Sequence, residues 1–184
     1  MKLINIFFSI VFISISSQSY AQEFYTYKLF DNKFQAVFPE EPKISPGFPR
    51  VISGVRVFHY QYNEPNNKFF IVTNSQSSAL DKNVVKYKKS SIDKGIKNFE
   101  KIGVQAQPGA SDYSLMNFSS KFDRKKNAYV ATYTFSFSIN GRKVFKSSKK
   151  IIQNKKEYKW SVMYFSLNDK YIFDKYKNHS NVLN

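Results

Sequence analysis

Apolar and polar positions alternate through much of this chain, and in one stretch the period changes to that of a helix. In KFQAVFPEEPK, residues 33–43, Phe34, Ala36 and Phe38 fall on one side of an extended backbone and Gln35 and Val37 on the other. Pro39 and Pro42 donate no ladder hydrogen bond, so the strand ends there. A partner strand is predicted over 24–30, with Asp31 and Asn32 turning between the two. A loop over 44–53 carries Pro46, Gly47 and Pro49. Beyond it, 55–62 and 69–73 read as a hairpin around Glu64, Pro65, Asn66 and Asn67.

The helical period runs over about 81–102. Asp81 is the predicted N-cap, and Gly103 stands where a glycine ends a helix. Val85, Ile92, Ile96 and Phe99 share one face, while Lys86, Lys94, Lys97 and Lys101 gather on the opposite one. Those lysines are either a solvated face or a basic docking surface for an anionic partner.

From Tyr129 to Ile139 alternation is strict, and Asn140-Gly141 is the dipeptide of a type I′ turn that returns the chain over 142–152. A further strand over 158–166 follows a turn at Asn154, Lys155 and Lys156. Asn168 or Asp169 then caps a short C-terminal helix bearing Tyr171, Ile172, Phe173 and Tyr176. The predicted class is α+β, a mostly antiparallel sheet with one long helix and a short C-terminal helix packed on it.

Residues 1–21 stand apart. Lys2 precedes an uncharged, mostly apolar run to about Ile15, and Ser19-Tyr20-Ala21 has small-x-small character. This is a signal peptide pattern, and its apolar run is too short for a membrane span. The reading is an exported protein, periplasmic or secreted, with 22–184 as one α+β domain and no integral membrane segment. The chain contains no cysteine, so neither a lipidated cysteine nor a disulfide framework is expected. The net charge of +16 includes Lys2, and a chain this basic attracts polyanions: anionic lipid, lipopolysaccharide or acidic polysaccharide. The Asn-x-Ser triplets at Asn117 and Asn178 carry little weight.

The phrase formed by Phe34, Ala36, Phe38, Pro39 and Pro42 resembles the opening strand of the Mog1/PsbP-like fold, found in small exported bacterial proteins. In that fold a hairpin, a long helix, a three-stranded meander and a terminal helix follow, and the resemblance in element order spans nearly all of 22–184. The Phe-x-x-Ser-Phe ending that such families often carry is not matched around 171–176. The resemblance implies an accessory or binding role and transfers no catalytic residue.

The residues themselves nominate little chemistry. His59 and His179 are the two histidines, without a paired spacing, so neither a metal site nor a cofactor is predicted. Glu40 and Glu41 point apart in a proline-flanked turn, and nothing selects a pair from Glu64, Glu100 and Asp123. No Gly-x-Ser-x-Gly elbow or glycine-rich phosphate loop occurs. Arg56, Phe58, Tyr60 and Tyr62 alternate along one strand face, either as core or as a platform for sugars or bases. The basic clusters 121–126 and 146–150 are expected at loop ends of the meander, as a positive patch or as solubility charges. Export and the lack of an RNA-binding aromatic motif disfavour nucleic acid. The leading reading is a non-catalytic binding or accessory protein of the bacterial envelope, meeting a protein partner or an anionic envelope component. The alternative is a small envelope hydrolase using His59, which requires a carboxylate beside it in a cleft.

Overall fold

The computed structural model describes residues 23–52, 55–64, 68–76 and 82–183. The leader pattern at 1–21, the proposed cap Asp81 and the turn at 65–67 lie outside those residues. Among the described residues, eleven strands, two α-helices and two 3-10 turns follow in the order β1 (Tyr25–Leu29), β2 (Phe34–Phe38), β3 (Lys43–Ile44), β4 (Arg50–Ile52), β5 (Val55–Glu64), β6 (Lys68–Gln76), a 3-10 turn (Val84–Lys86), α1 (Lys89–Gln105), β7 (Ala110–Asp123), β8 (Ala128–Ile139), β9 (Arg142–Gln153), β10 (Lys156–Tyr164), a 3-10 turn (Leu167–Asp169), α2 (Lys170–Tyr176) and β11 (Asn181–Val182).

One large antiparallel sheet has the order β3-β5-β6-β10-β9-β8-β7, with β4 also on β5, and a small sheet has the order β1-β2-β11. The small sheet and α2 cover one face of the large sheet, and α1 covers part of the other. Strand alternation sorts the side chains. Tyr158, Trp160, Val162 and Tyr164 of β10 point towards the small sheet, while Tyr129, Ala131, Tyr133, Phe135 and Phe137 of β8 point towards α1.

The two sheets are joined by aromatic stacking and by directed hydrogen bonds. Phe34 stacks on Tyr158 with centroids 5.2 Å apart, and Trp160 stacks on Phe173 at 5.3 Å. The buried Trp160 Nε1 donates to the Val37 carbonyl at 3.2 Å. The predicted strand over 34–38 thus forms the inner wall of the sandwich, with Phe34, Ala36 and Phe38 all buried.

Several boundaries differ from the sequence reading. Tyr87 and Lys88 are extended, so α1 begins at Lys89, and it carries on through Gly103 to Gln105. Pairing to a neighbouring strand orders part of the 44–53 loop: β3 and β4 both add to β5. β7, fourteen residues long, pairs along β8 with two register shifts and went unpredicted. Both predicted turns at the β8–β9 and β9–β10 corners are present, with positive φ at Asn140, Gly141, Asn154 and Lys155.

The C-terminus is tied down as β11 against β2. The tie is Lys149, near the middle of β9. It is 7 % exposed, and its Nζ donates to Lys177 O and Ser180 O at 2.8 Å and to Asn181 Oδ1 at 3.0 Å. Burial and the charges of Lys121, Lys126 and Lys177 pull its ammonium down to about 8, which still leaves it mostly protonated at neutral pH. Lys149→Ala strands those three acceptors and is expected to cost about 2–4 kcal/mol, with amide-exchange protection lost at Val182 and Leu183. Denaturant melts and hydrogen exchange read both effects. An unchanged midpoint with β11 still protected would contradict this role.

Candidate functional site

α1 packs over β7 and β8 and is pinned to the large sheet at two points seven residues apart. At the first, Asp93 accepts bonds from Lys89 Nζ and Ser120 Oγ, both at 2.8 Å, and from Tyr129 Oη. Burial works against the Asp93 charge, but these donors outweigh it and hold the carboxyl below its ordinary range. At the second, Glu100 accepts from Tyr133 Oη at 2.7 Å and from Lys159 Nζ at 3.0 Å. Glu100 is 6 % exposed and occupies a core position in the stripe Ile92, Ile96, Glu100, Val104.

Burial alone would raise the Glu100 carboxyl. Lys159, Lys146 and Lys150, with the Tyr133 hydroxyl, more than offset it and bring it to about 2. All three lysines share the α1 side of β9 and β10: Lys150 stands opposite Lys159, and Lys146 opposite Met163. Lys150 also pairs with Glu157 at 2.9 Å. Three lysines therefore face two carboxylates, and the patch keeps one surplus positive charge.

With α1 held this way, its opposite side is set. Lys94, Lys97 and Lys101 are exposed, as the period predicts, and Lys97 Nζ sits 4.6 Å from the centre of the Phe118 ring on β7. Lys86 is exposed too, but on the 3-10 turn and not on the helix. Phe99 is not on the core side: it is 64 % exposed, Ile102 is 63 % exposed, and Lys150 Nζ lies 5.3 Å from the Phe99 ring centre. Glu100 takes the inward position that hydrophobicity alone assigns to Phe99. The outer surface of α1 thus has a lysine flank towards β7 and an apolar flank towards β9.

The other candidates sit elsewhere. The 146–150 cluster, expected at a loop end, runs through the interior of β9: Lys149 and Lys150 are buried on opposite faces, because a strand alternates whatever its charges. Phe58 and Tyr60 are half-buried and line a cleft of about 140 Å³ with Phe30, Tyr158 and Lys33. Tyr62 packs on Phe70 at 6.1 Å. These three rings form the edge of the inter-sheet core; the Arg56 side chain lies outside the described residues. His59, on the opposite face of β5, meets the Phe48 ring edge-on at 4.8 Å. A second cleft, about 200 Å³, lies between β7, β8 and α2. Among the described residues no group of three or more His, Cys, Asp or Glu is arranged to hold a metal, and no helix is long and apolar enough to cross a membrane.

No protein-family model matches the chain, and no curated protein matches it by sequence. Solved structures do match in shape. The solution structure of PsbP from the cyanobacterium Synechocystis superposes with a TM-score of 0.59 at 10 % identity, covering 93 % of this chain and 99 % of that one. The Saccharomyces cerevisiae Ran-binding protein Mog1p gives 0.45 at 9 % identity over 84 % of each chain. A Pseudomonas aeruginosa protein of unknown function, described as a putative regulator, gives 0.41 at 10 % identity, over 83 % of this chain and 89 % of its own. The likeness to PsbP, with its element order, gives the class: this is an α+β protein of the Mog1/PsbP-like fold.

The Glu100 clamp has a pH signature. Its folded pKa of about 2 lies below the ordinary 4.5, so the folded state holds fewer protons than the unfolded state between those values. The stability it supplies is complete above about 4.5 and is lost as the pH falls towards 2. Glu100→Gln is expected to cost roughly 3 kcal/mol at neutral pH and to flatten that acid limb. Chemical denaturation across the pH range checks it; equal acid limbs in both proteins would refute it.

Proposed function

We propose that this is a non-catalytic binding protein that docks a partner's acidic surface through the outer face of α1. The observation that carries the reading is the pairing of two large apolar side chains, Phe99 and Ile102, standing more than half exposed beside Lys94, Lys97 and Lys101 on the same helix. Exposed apolar side chains next to charge of one sign suit a protein interface, with the apolar pair as anchor and the lysines guiding approach and register. The positive charge of the whole chain favours the same class of partner. In this reading the protein works outside the cytoplasm, in the periplasm or beyond, after removal of residues 1–21. An acidic protein is preferred over a lipid surface because the apolar flank adjoins a partly buried charged patch, which a single protruding side chain suits better than a flat layer of head groups.

The test is binding to poly-L-glutamate and to phosphatidylglycerol vesicles across a salt series. Salt-sensitive binding to poly-L-glutamate is expected, weakened about tenfold or more by Lys94→Glu with Lys97→Glu. Binding to vesicles alone would move the partner to a lipid surface. Binding to neither at low salt would overturn the docking reading.

A further inference from the structure

The patch beneath the apolar flank of α1 has more donors and more positive charge than it has acceptors. Glu100 serves Tyr133 and Lys159, and Glu157 serves Lys150. Lys146 is left over: no hydrogen bond or ion pair reaches its Nζ from any described residue. A second donor nearby is also without an acceptor. Tyr113 of β7 packs 5.4 Å from Phe135, the residue opposite Lys146 on β8, and its buried Oη has no partner. Buried donors and charges without partners are costly, so a fold that keeps them has a use for them or a ligand that satisfies them.

We propose that the lysine patch where the C-terminal half of α1 meets strands β9 and β10 receives one carboxylate from the partner, and that Lys146 is the residue that takes it. The inference rests on the docking reading above and names its anchor chemistry: an aspartate or glutamate side chain projecting from the acidic surface seated on Phe99 and Ile102. Three features favour it. Lys146 is only partly buried, and its Nζ is not among the fully enclosed polar atoms without a partner. Lys146, Lys150 and Lys159 against Glu100 and Glu157 leave one positive unit, which a single carboxylate neutralises. The carboxylate of Glu100 already lies among the same lysines, so the surroundings suit that group. Without the ligand, burial and the charge of Lys159 bring the Lys146 ammonium down to about 8, against the pull of Glu100 and with a further push from Lys150. The other titratable and charged groups on this side are Glu157, Tyr133 and Tyr113, with Tyr129, Asp93 and Lys89 two turns earlier along α1 and Arg142 at the start of β9.

The site can be tested apart from the docking face. The Lys146 titration is followed by NMR in sodium acetate and in sodium chloride at equal ionic strength, on the wild type and on Lys94→Glu with Lys97→Glu. The midpoint is expected to move towards the ordinary lysine value of 10.5 in acetate in both proteins. Hexaglutamate is expected to bind Lys146→Met about tenfold more weakly than wild type and Lys125→Met unchanged. Lys146→Met keeps the length of the side chain and removes a repelling charge, so it is expected to fold. The same midpoint in both salts, or hexaglutamate bound equally well by Lys146→Met, would overturn the assignment. If the wild type binds no hexaglutamate, the docking reading falls, and the acetate comparison still decides whether Lys146 takes a carboxylate.

Discussion

A buried carboxylate determines how this protein presents its surface. Glu100 is enclosed between a tyrosine hydroxyl of β8 and a lysine of β10, and an unpartnered charge there would cost several kilocalories. α1 can satisfy it in one register only. A shift of one residue would turn Glu100 away from Tyr133 and Lys159 and put Phe99 or Lys101 in its place. The clamp at Asp93 repeats the constraint two turns earlier. With both in place, Phe99 and Ile102 are forced outwards, so the exposed apolar flank is a consequence of the ionic core. Such an arrangement gives up stability that a leucine at position 100 would supply more simply, in exchange for a defined helix orientation.

The opposite face of the large sheet follows a different logic. There the inter-sheet layer mixes aliphatic side chains with aromatic ones, Trp160, Tyr158, Phe34 and Phe173 being stacked in pairs, and the buried Lys149 is spent on oxygens of the C-terminal segment. Lysines of β9 therefore serve both layers. Lys149 closes the small sheet, while Lys146 and Lys150 set the potential beneath α1. The strand carries its charge inside because each ammonium there reaches oxygen atoms or a neighbouring carboxylate, save Lys146.

Much of the architecture was legible because strand and helix periods are local. The alternation in 34–38 and 129–139, the Asn140-Gly141 turn and the lysine side of α1 all follow from residues close in sequence. β11 was not legible, since two residues pair with β2 only because Lys149, some thirty positions earlier, holds them. β7 escaped because its apolar positions are sparse: Tyr113, Leu115, Phe118 and Phe122 are broken by register shifts. At the site, hydrophobicity assigned Phe99 to the core. The contrary signal was present as an acid spaced by four from Ile96 and from Val104, but its lysine and tyrosine partners come from strands far along the chain. The KSSKK stretch likewise reads as surface until its place in the middle of β9 is known.

The account stands or falls on where an acidic ligand meets the protein, and an amide chemical-shift map with hexaglutamate locates that contact directly. Shifts concentrated on residues 94–105 of α1 and on Lys146, Lys150 and Lys159 are predicted. Shifts centred on the cleft around Phe58 and Tyr60, or spread evenly over the basic surface, would contradict it.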